Sequence, residues 1–435
     1  MQAPQRIDSP APAPAPPSAP APLTAGVAFD KGLAVRYSIA NLGSASVYTL
    51  FNTGLPLYLE SYGIAPAWIG LLANERSFVG ALVQPVVGRL SDRTRTPLGR
   101  RRPFFLAGVP LMAISLLTLA LHPPFWIMLA LMTIGSFFLA VAADPYLALM
   151  ADLFPPALRG RVGGLLGLTS ALAAITITLL SSFFWAQYEG LVFLFTISIL
   201  VGAFGITFFT VREPPLPAAS KEAAPPPRAA RPDAAAYIRG LLEYPEAAKY
   251  VLAVTFFWIG SGGATPFVTL FAKHALQAGG AQIFYLPLAF VLSNALFAVP
   301  AGYLADRVGK KRVLTLGLLI YGLGALIGSQ SATVTQATLA LAACGLGNAG
   351  TSSLNPLLTD LIPRRRVAEF IGLGSSVWSL VQPVGSLLAG ALVAALTVPI
   401  GLSDAYRWAF IFAGTLIVLS ALLLQLVRPE RTPVD

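Results

Sequence analysis

Three ionisable side chains fall inside long apolar stretches of this chain: Glu75 and Arg76, adjacent in the second stretch, and Asp144, beside Pro145 in the fourth. A charged group in hydrocarbon costs about 2.5–3.5 kcal/mol or more, so such groups face a wet cavity or one another. A carboxyl whose surroundings alternate between dry and wet, or whose arginine partner swings away, loads and releases a proton. Glu75, Arg76 and Asp144 are therefore candidates for proton coupling. Two structural readings compete: a static Glu75–Arg76 ion pair that fixes helix packing, and an Asp144 that caps a helix broken at Pro145.

A second set has the chemistry of solute binding. Asn41, Ser44, Tyr48 and Asn52 recur every three to four residues, which places them on one helical face. Amides and hydroxyls hold sugars through paired hydrogen bonds, and aromatic rings stack on their apolar faces. Asn41, Tyr48, Asn52 and Gln84, with Trp258, Tyr285, Asn294, Asn348, Asn355, Trp378 and Gln382, make up the candidate site for a small polar solute such as a sugar. Hydrogen bonding between helices, worth about 0.6 kcal/mol per contact, is the competing reading for each of them.

Other chemistries find no constellation here. His122 and His274 lie far apart without nearby ligands, so no metal site is expected, and the single cysteine, Cys344, sits in an apolar stretch as a packing residue. The Gly-rich runs at Gly260-Ser-Gly262-Gly263 and Gly345-Leu-Gly347 stand inside helical segments rather than after strands. They read as close helix contacts or bends, not phosphate loops. No nucleophile constellation and no cofactor motif is present, and the expectation is a non-enzyme.

The elements that carry these residues follow from composition. Hydrophobic residues make up 56% of the 435-residue chain and charged residues 11%, with a mean hydropathy of +0.72. Soluble domains carry about 25% charged residues, and crossing a bilayer takes about 20 apolar residues. Twelve apolar segments are found, at 34–59, 66–90, 103–121, 125–153, 162–185 and 190–211, then at 249–272, 281–305, 312–329, 334–361, 368–396 and 405–427. The expected organisation is a tail over 1–29 rich in Ala and Pro, a six-helix bundle over 30–211, a linker over 212–247, a second six-helix bundle over 248–428 and a tail over 429–435. Within the linker, Asp233 to Leu242 has the composition of a short surface helix. Trp126, Trp185 and Tyr188 fall at segment edges, where aromatic anchors gather.

The net charge of +10 is distributed over short loops rather than gathered on one face, which argues for topology and against nucleic acid. Arg93, Arg95 and Arg100 to Arg102, then Arg159 and Arg161, Arg307 and Lys310 to Arg312, and Arg364 to Arg366 all fall on the linker side. Lys273 and Arg407 are the basic residues of the opposite loops. Basic loops stay cytoplasmic, so both termini are expected there, in a multi-pass protein of the cell's inner membrane.

One feature relates the two sixes. Gly88-Arg-Leu-Ser-Asp92-Arg93 with Gly99-Arg100-Arg101 is echoed by Gly302-Tyr-Leu-Ala-Asp306-Arg307 with Gly309-Lys310-Lys311, with Gly88 to Gly302 and Asp92 to Asp306 both 214 residues apart. The Gly is expected to admit a neighbouring helix and the Asp to pair with basic groups or a helix N-terminus, so that these residues latch one conformation. The same offset maps Glu75 and Arg76 onto Ala289 and Phe290, and an offset of 208 maps Asp144 onto Ser352. Residues without a counterpart serve something asymmetric, which reinforces the coupling assignment.

The doubled Gly-x-x-x-Asp-Arg…Gly-Arg/Lys-Arg/Lys resembles the loop motif of the major facilitator superfamily. Val83-Gln84-Pro85, Ser91-Asp92-Arg93, Gly99-Arg100-Arg101-Arg102-Pro103-Phe104 and Ala148-Leu149-Met150-Ala151-Asp152-Leu153 further resemble the sucrose/proton symporters, of the glycoside-pentoside-hexuronide:cation symporter type. The resemblance implies an all-α membrane protein with the major facilitator fold, twelve helices in two six-helix bundles, and alternating access. It further implies proton-coupled symport of a sugar or glycoside, sucrose- or maltose-like. Melibiose-type sodium carriers have acidic residues where this chain has Gly80 and Gln84, which argues against sodium. The alternatives are a proton-coupled exporter of amphipathic or drug-like compounds and a membrane receptor or scaffold that does not transport.

Overall fold

The computed structural model describes residues 29–213, 243–363 and 366–428. The expected tails, most of the linker with its surface helix at Asp233 to Leu242, and Arg364 and Arg365 lie outside the described residues. The described residues form helices and no strands, and twelve membrane helices can be followed. In the first half these are α1 (Lys31–Thr53 with Leu55–Ser61), α2 (Pro66–Leu72 with Glu75–Arg93), α3 (Arg102–Leu119) and α4 (Phe125–Leu153). The run Pro156–Thr210 supplies α5 and α6, separated where Tyr188 leaves helical geometry at φ −148°, ψ 62°. The second half holds α7 (Pro245–Ala264 with Val268–His274), α8 (Tyr285–Val308), α9 (Lys310–Ser329), α10 (Val334–Ala349 with Leu354–Asp360), α11 (Val367–Ile400) and α12 (Leu402–Gln425).

Among the described residues, eight helical stretches are long and apolar enough to cross a bilayer, and Pro156–Thr210 accounts for two spans. The spans not among them are α1, α2 and α10, which are also interrupted: α1 at Gly54, α2 between Leu72 and Glu75, α10 over Gly350–Ser353. A broken helix frees backbone groups that need a wet or protein-lined surrounding, and α7, interrupted at Thr265–Phe267, shows that such a break also occurs in an apolar span.

Small residues bring the helices of each bundle together, since lipid gives no hydrophobic drive between helices. A Cβ built on Gly108 of α3 would lie 2.6 Å from the Phe138 carbonyl of α4, one on Gly262 of α7 2.1 Å from the Gln382 carbonyl of α11, and one on Gly345 of α10 2.2 Å from the Phe290 carbonyl of α8. The Gly-rich runs thus serve close contact, as their position in helical segments implied. Cys344 packs in the core, its Sγ 3.4 Å from the Tyr321 carbonyl oxygen.

The halves meet at the end opposite the doubled motif. There Lys273 Nζ donates to Glu60 Oε2 at 2.6 Å, and His274 bonds the other oxygen of the same carboxylate. Nearer the middle, Asn74 Nδ2 donates to Ser386 Oγ at 2.7 Å, and Gly70 and Gly390 lie against the backbones of Ser386 and Pro66. Trp185, expected at a lipid edge, instead packs inward over Gly54 and against Phe284 of the other half, with centroids 5.9 Å apart. Its ring is large and flat enough to fill the seam left by the break in α1. Trp126 and Tyr188 are exposed, as expected of anchors.

At the motif end the halves stand apart. A Cβ on Gly80, Gly88 or Gly302 would meet nothing within 4 Å. The expected close approach at Gly88 is therefore absent in this conformation, because the seam along the inner parts of α2 and α8 is open. A transporter that closes at one end and opens at the other has this geometry.

Candidate functional site

The break in α2 builds the site. Ala73 and Asn74 interrupt the helix, so Glu75 and Arg76 begin its second piece at mid-depth, with Glu75 in the first turn, where a helix N-terminus favours negative charge. Ser136 of α4 donates to Glu75 Oε1 at 2.5 Å, while Oε2 is buried without a hydrogen-bond partner. Arg76 Nη2 donates to Asn52 Oδ1 of α1 at 2.7 Å, and the guanidinium carbon stands 5.2 Å from the centroid of the Tyr48 ring. Its Nη1 is buried and unpartnered. No ion pair within 4 Å joins Glu75 to Arg76, so the static-bridge reading does not fit; the two side chains leave the helix towards α4 and α1 respectively.

Asp144 does not cap a broken helix, since α4 runs unbroken through Pro145 from Phe125 to Leu153. Its Oδ2 is buried without a partner. It shares a cavity of about 230 Å³ with Tyr48, Arg76, Gln84, Ser136 and, from the second half, Ser379. Beside this polar cavity lies an apolar one of about 170 Å³ between the bundles, lined by Asn52, Val268, Phe290, Val291 and Phe410 among others. Asn52 lines the second cavity and is bonded to Arg76 of the first, so one amide joins the two compartments. Trp258 and Trp378 stack with centroids 6.4 Å apart and line neither cavity, although Trp378 precedes Ser379 in sequence; both indole N–H groups lack partners.

The structure thus brings together Tyr48, Asn52, Arg76, Gln84 and Asp144, with Glu75 behind the wall, but it disperses the rest of the candidate set. Asn41 turns to α5, donating to the Leu166 carbonyl at 2.9 Å and to Ser170 Oγ at 2.7 Å. It shares Tyr48's face nearly two helical turns away, where that face meets α5 instead of the cavity. Asn348 donates to Asn294 at 3.1 Å, so these two join α10 to α8. Tyr285 begins α8 at the far end, and Asn355 is exposed near the motif end of α10. Gln382 packs its backbone on Gly262 of α7, and it is not among the residues lining either cavity.

At the motif end, Arg101 binds three groups: Nη2 to Asp92 at 3.2 Å, Nη1 to Ser91 at 3.2 Å and Nε to Asp152 at 2.6 Å, with Arg100 on the other Asp152 oxygen at 2.5 Å. Glu213, at the end of α6, accepts the backbone N–H groups of Arg100, Arg101 and Arg102 at 2.7, 2.8 and 2.9 Å, satisfying the orphan donors at the start of α3. Gly99 admits it: its φ of +106° and the Glu213 oxygen 2.4 Å from where a Cβ would stand both exclude a side chain. In the second copy Lys310 pairs with Asp360 at 2.7 Å, the counterpart of Arg100 on Asp152. Asp306 has no ion pair within 4 Å among the described residues, so the echo in sequence is not an echo in contacts: Asp306 lines an open hollow of the second half with Lys310, Asp360 and Arg428.

Sequence reasoning missed Glu213, which contacts residues more than a hundred positions away. It also missed the Glu60–Lys273–His274 cluster, although a signal was present. Glu60 and His274 stand 214 residues apart, the motif's own spacing, so each occupies one place in its half, and related residues touch only near the axis that relates the halves.

Comparison with known proteins agrees with this fold. The description Major Facilitator Superfamily fits residues 37–260 and 250–435. The chain belongs to the major facilitator superfamily. It is 23% identical over 387 residues to the uncharacterized MFS-type transporter MJ1317 of Methanocaldococcus jannaschii, covering 86% of this chain and 89% of that one. It is 25% identical over 378 residues to the multidrug resistance protein MdtG of Salmonella choleraesuis, covering 82% and 87%. Among solved structures, a bacterial homolog of the human lysosomal transporter Spinster, inward-facing and occupied, superposes with a TM-score of 0.72 at 15% identity over 92% of this chain and 97% of that one. A D-xylose-proton symporter does so with a TM-score of 0.70 at 14% identity, covering 92% and 99%. This is a multi-pass membrane transporter.

Proposed function

We propose that this superfamily member is a proton-coupled transporter of a small amphipathic solute of glycoside type, working by alternating access with both termini cytoplasmic in the cell membrane. The observation that carries the reading is the one-sided cavity. Asp144 and Arg76, with Glu75 behind Ser136, belong to one bundle, while the other offers Ser379. Hydroxyls and amides at Tyr48, Asn52, Gln84 and Ser379 suit the polar head of a glycoside, and the Phe290, Val291 and Phe410 wall suits its apolar part. Asp144 and Glu75 carry the proton. Rocking of the halves changes which side hydrates them, so proton and solute together favour the occluded form.

Uptake in proteoliposomes under an imposed pH gradient tests this with labelled sugars and phenyl glycosides. Accumulation on the alkaline side is expected, and Glu75→Gln or Asp144→Asn abolishes it while equilibrium exchange persists. No gradient-driven movement of any of these solutes, or unchanged accumulation in both variants, overturns the reading.

Export of amphipathic compounds is the second reading, favoured by the apolar cavity and by the similarity to a multidrug resistance protein. It differs in sign: an exporter exchanging solute for protons concentrates solute on the acid side.

A further inference from the structure

The polar cavity contains a cation that pairs with no carboxylate, although Asp144 lines the same cavity and Glu75 precedes it in the helix. An arginine remains protonated in proteins; Arg76 Nη1 is buried without a hydrogen-bond partner, and among the described residues Arg76 makes no ion pair within 4 Å. The groups around it are the Tyr48 ring and Asn52 of α1, the neighbouring Glu75 of α2 turned away to Ser136, and Asp144 of α4 and Ser379 of α11 across the cavity. Asn52 satisfies one amino group by a neutral hydrogen bond and Tyr48 offers its ring face, but neither neutralises the charge. An intramembrane guanidinium ordinarily pairs with an anion, because the alternative is a desolvated charge. A neutral sugar leaves Nη1 in that condition, and a cation makes it worse.

We infer that the transported solute bears an anionic head, a carboxylate or similar oxyanion, that docks on Arg76, with its apolar part in the cavity beyond Asn52. This rests on the proton-coupled reading above and names the chemistry of its substrate. A planar guanidinium offers paired N–H donors to a carboxylate; Asn52 holds one amino group, the other is buried without a partner, and Arg76 lines the cavity from which the head would arrive. The charge balance gives a stoichiometry. With one of Glu75 and Asp144 protonated, Arg76 and the remaining carboxylate cancel; a second proton leaves one positive charge, which a monoanion cancels again. One proton with one monovalent anion then moves without net charge across the dry barrier of the occluded form, the lowest electrostatic cost available to this cluster.

The test uses the full-length protein and matched probes that differ in charge: phenyl glucuronide against phenyl glucoside, benzoate against benzamide, and hexanoate against hexanamide. Binding is read by isothermal titration calorimetry. Anions are expected to bind at least about tenfold more tightly than their neutral partners, a difference of about 1.4 kcal/mol, and more tightly at about pH 5.5 than at about pH 8, as protons fill the carboxyls. Arg76→Gln removes the preference and Arg76→Lys keeps part of it, while gel filtration and thermal unfolding confirm that both variants are folded. Equal or tighter binding of the neutral partners, no binding of any anion, or an anion preference that survives in folded Arg76→Gln, overturns the inference. Glucoside driven by the pH gradient while glucuronide is not leaves the coupling reading standing and removes this one. Arg76-dependent glucuronide binding without gradient-driven uptake does the reverse.

Discussion

Replacing Glu60 by Gln tests whether the closed end is held by charge. Glu60 joins α1 of one half to α7 of the other through Lys273 at 2.6 Å and through His274, whose ring stacks on Tyr406 with centroids 5.3 Å apart. The carboxylate side chain is 18% exposed and His274 23%, but Lys273 is 44% exposed, so solvent screens that contact. An exposed pair contributes about 0.2–1 kcal/mol and a hydrogen bond to a charged group up to about 1.5–3 kcal/mol when buried. Discounting the lysine contact to the lower range and keeping part of the histidine contact gives about 1–2 kcal/mol. A glutamine retains one neutral hydrogen bond, which is why the estimate stays below the sum. A change of about 1.4 kcal/mol is tenfold in an equilibrium constant, so Glu60→Gln is expected to raise the population opened at this end about 5- to 30-fold relative to the closed one. Spin labels at Ser61 and Gly279, both exposed at this end, in a Cys344→Ala background, report the opening as a longer distance by double electron–electron resonance. A distance distribution unchanged between wild type and Glu60→Gln would refute the argument and leave apolar packing at Trp185, Phe284 and the Gly70 and Gly390 contacts as the closing force.

Glu213→Gln weakens the cap on Arg100, Arg101 and Arg102 and is expected to lower stability by about 1–2 kcal/mol, read as a lower thermal midpoint in detergent; no change would mean the three N–H groups find water instead. Gly262→Ala forces a Cβ to within 2.1 Å of the Gln382 carbonyl, costing about 1–3 kcal/mol as α7 and α11 part. Gly202→Ala, where nothing lies within 4 Å, is instead expected to stabilise by up to about 1 kcal/mol through helix propensity. Equal midpoints for the two alanine variants would contradict the close-packing account.

Particular residues mark the boundary between what the chain announces and what folding decides. The twelve spans, the two matched halves and the exceptional status of Glu75, Arg76 and Asp144 were legible, because bilayer thickness and the cost of intramembrane charge act on local composition. The asparagines were not separable: Asn41 and Asn52 share a helical stripe, yet one packs on α5 and the other reaches Arg76, since periodicity fixes a face and not its neighbour. Asp92 and Asp306 repeat in sequence and differ in contacts: Arg101, itself held by Asp152 of α4 and Glu213 at the end of α6, reaches Asp92, whereas Lys310 turns to Asp360 and Asp306 makes no ion pair within 4 Å among the described residues.

Sequence by itself determined that the protein lies in the membrane, that it is two copies of one bundle plan, and that three charges break the symmetry. Tertiary structure decided that the halves close at Glu60, Lys273 and His274, that α2 breaks to set Glu75 and Arg76 at mid-depth, and that Arg76 shares a cavity with Asp144 while one of its amino groups stays without a partner. Composition is read by the bilayer residue by residue, whereas pairing depends on which helices the two bundles bring side by side.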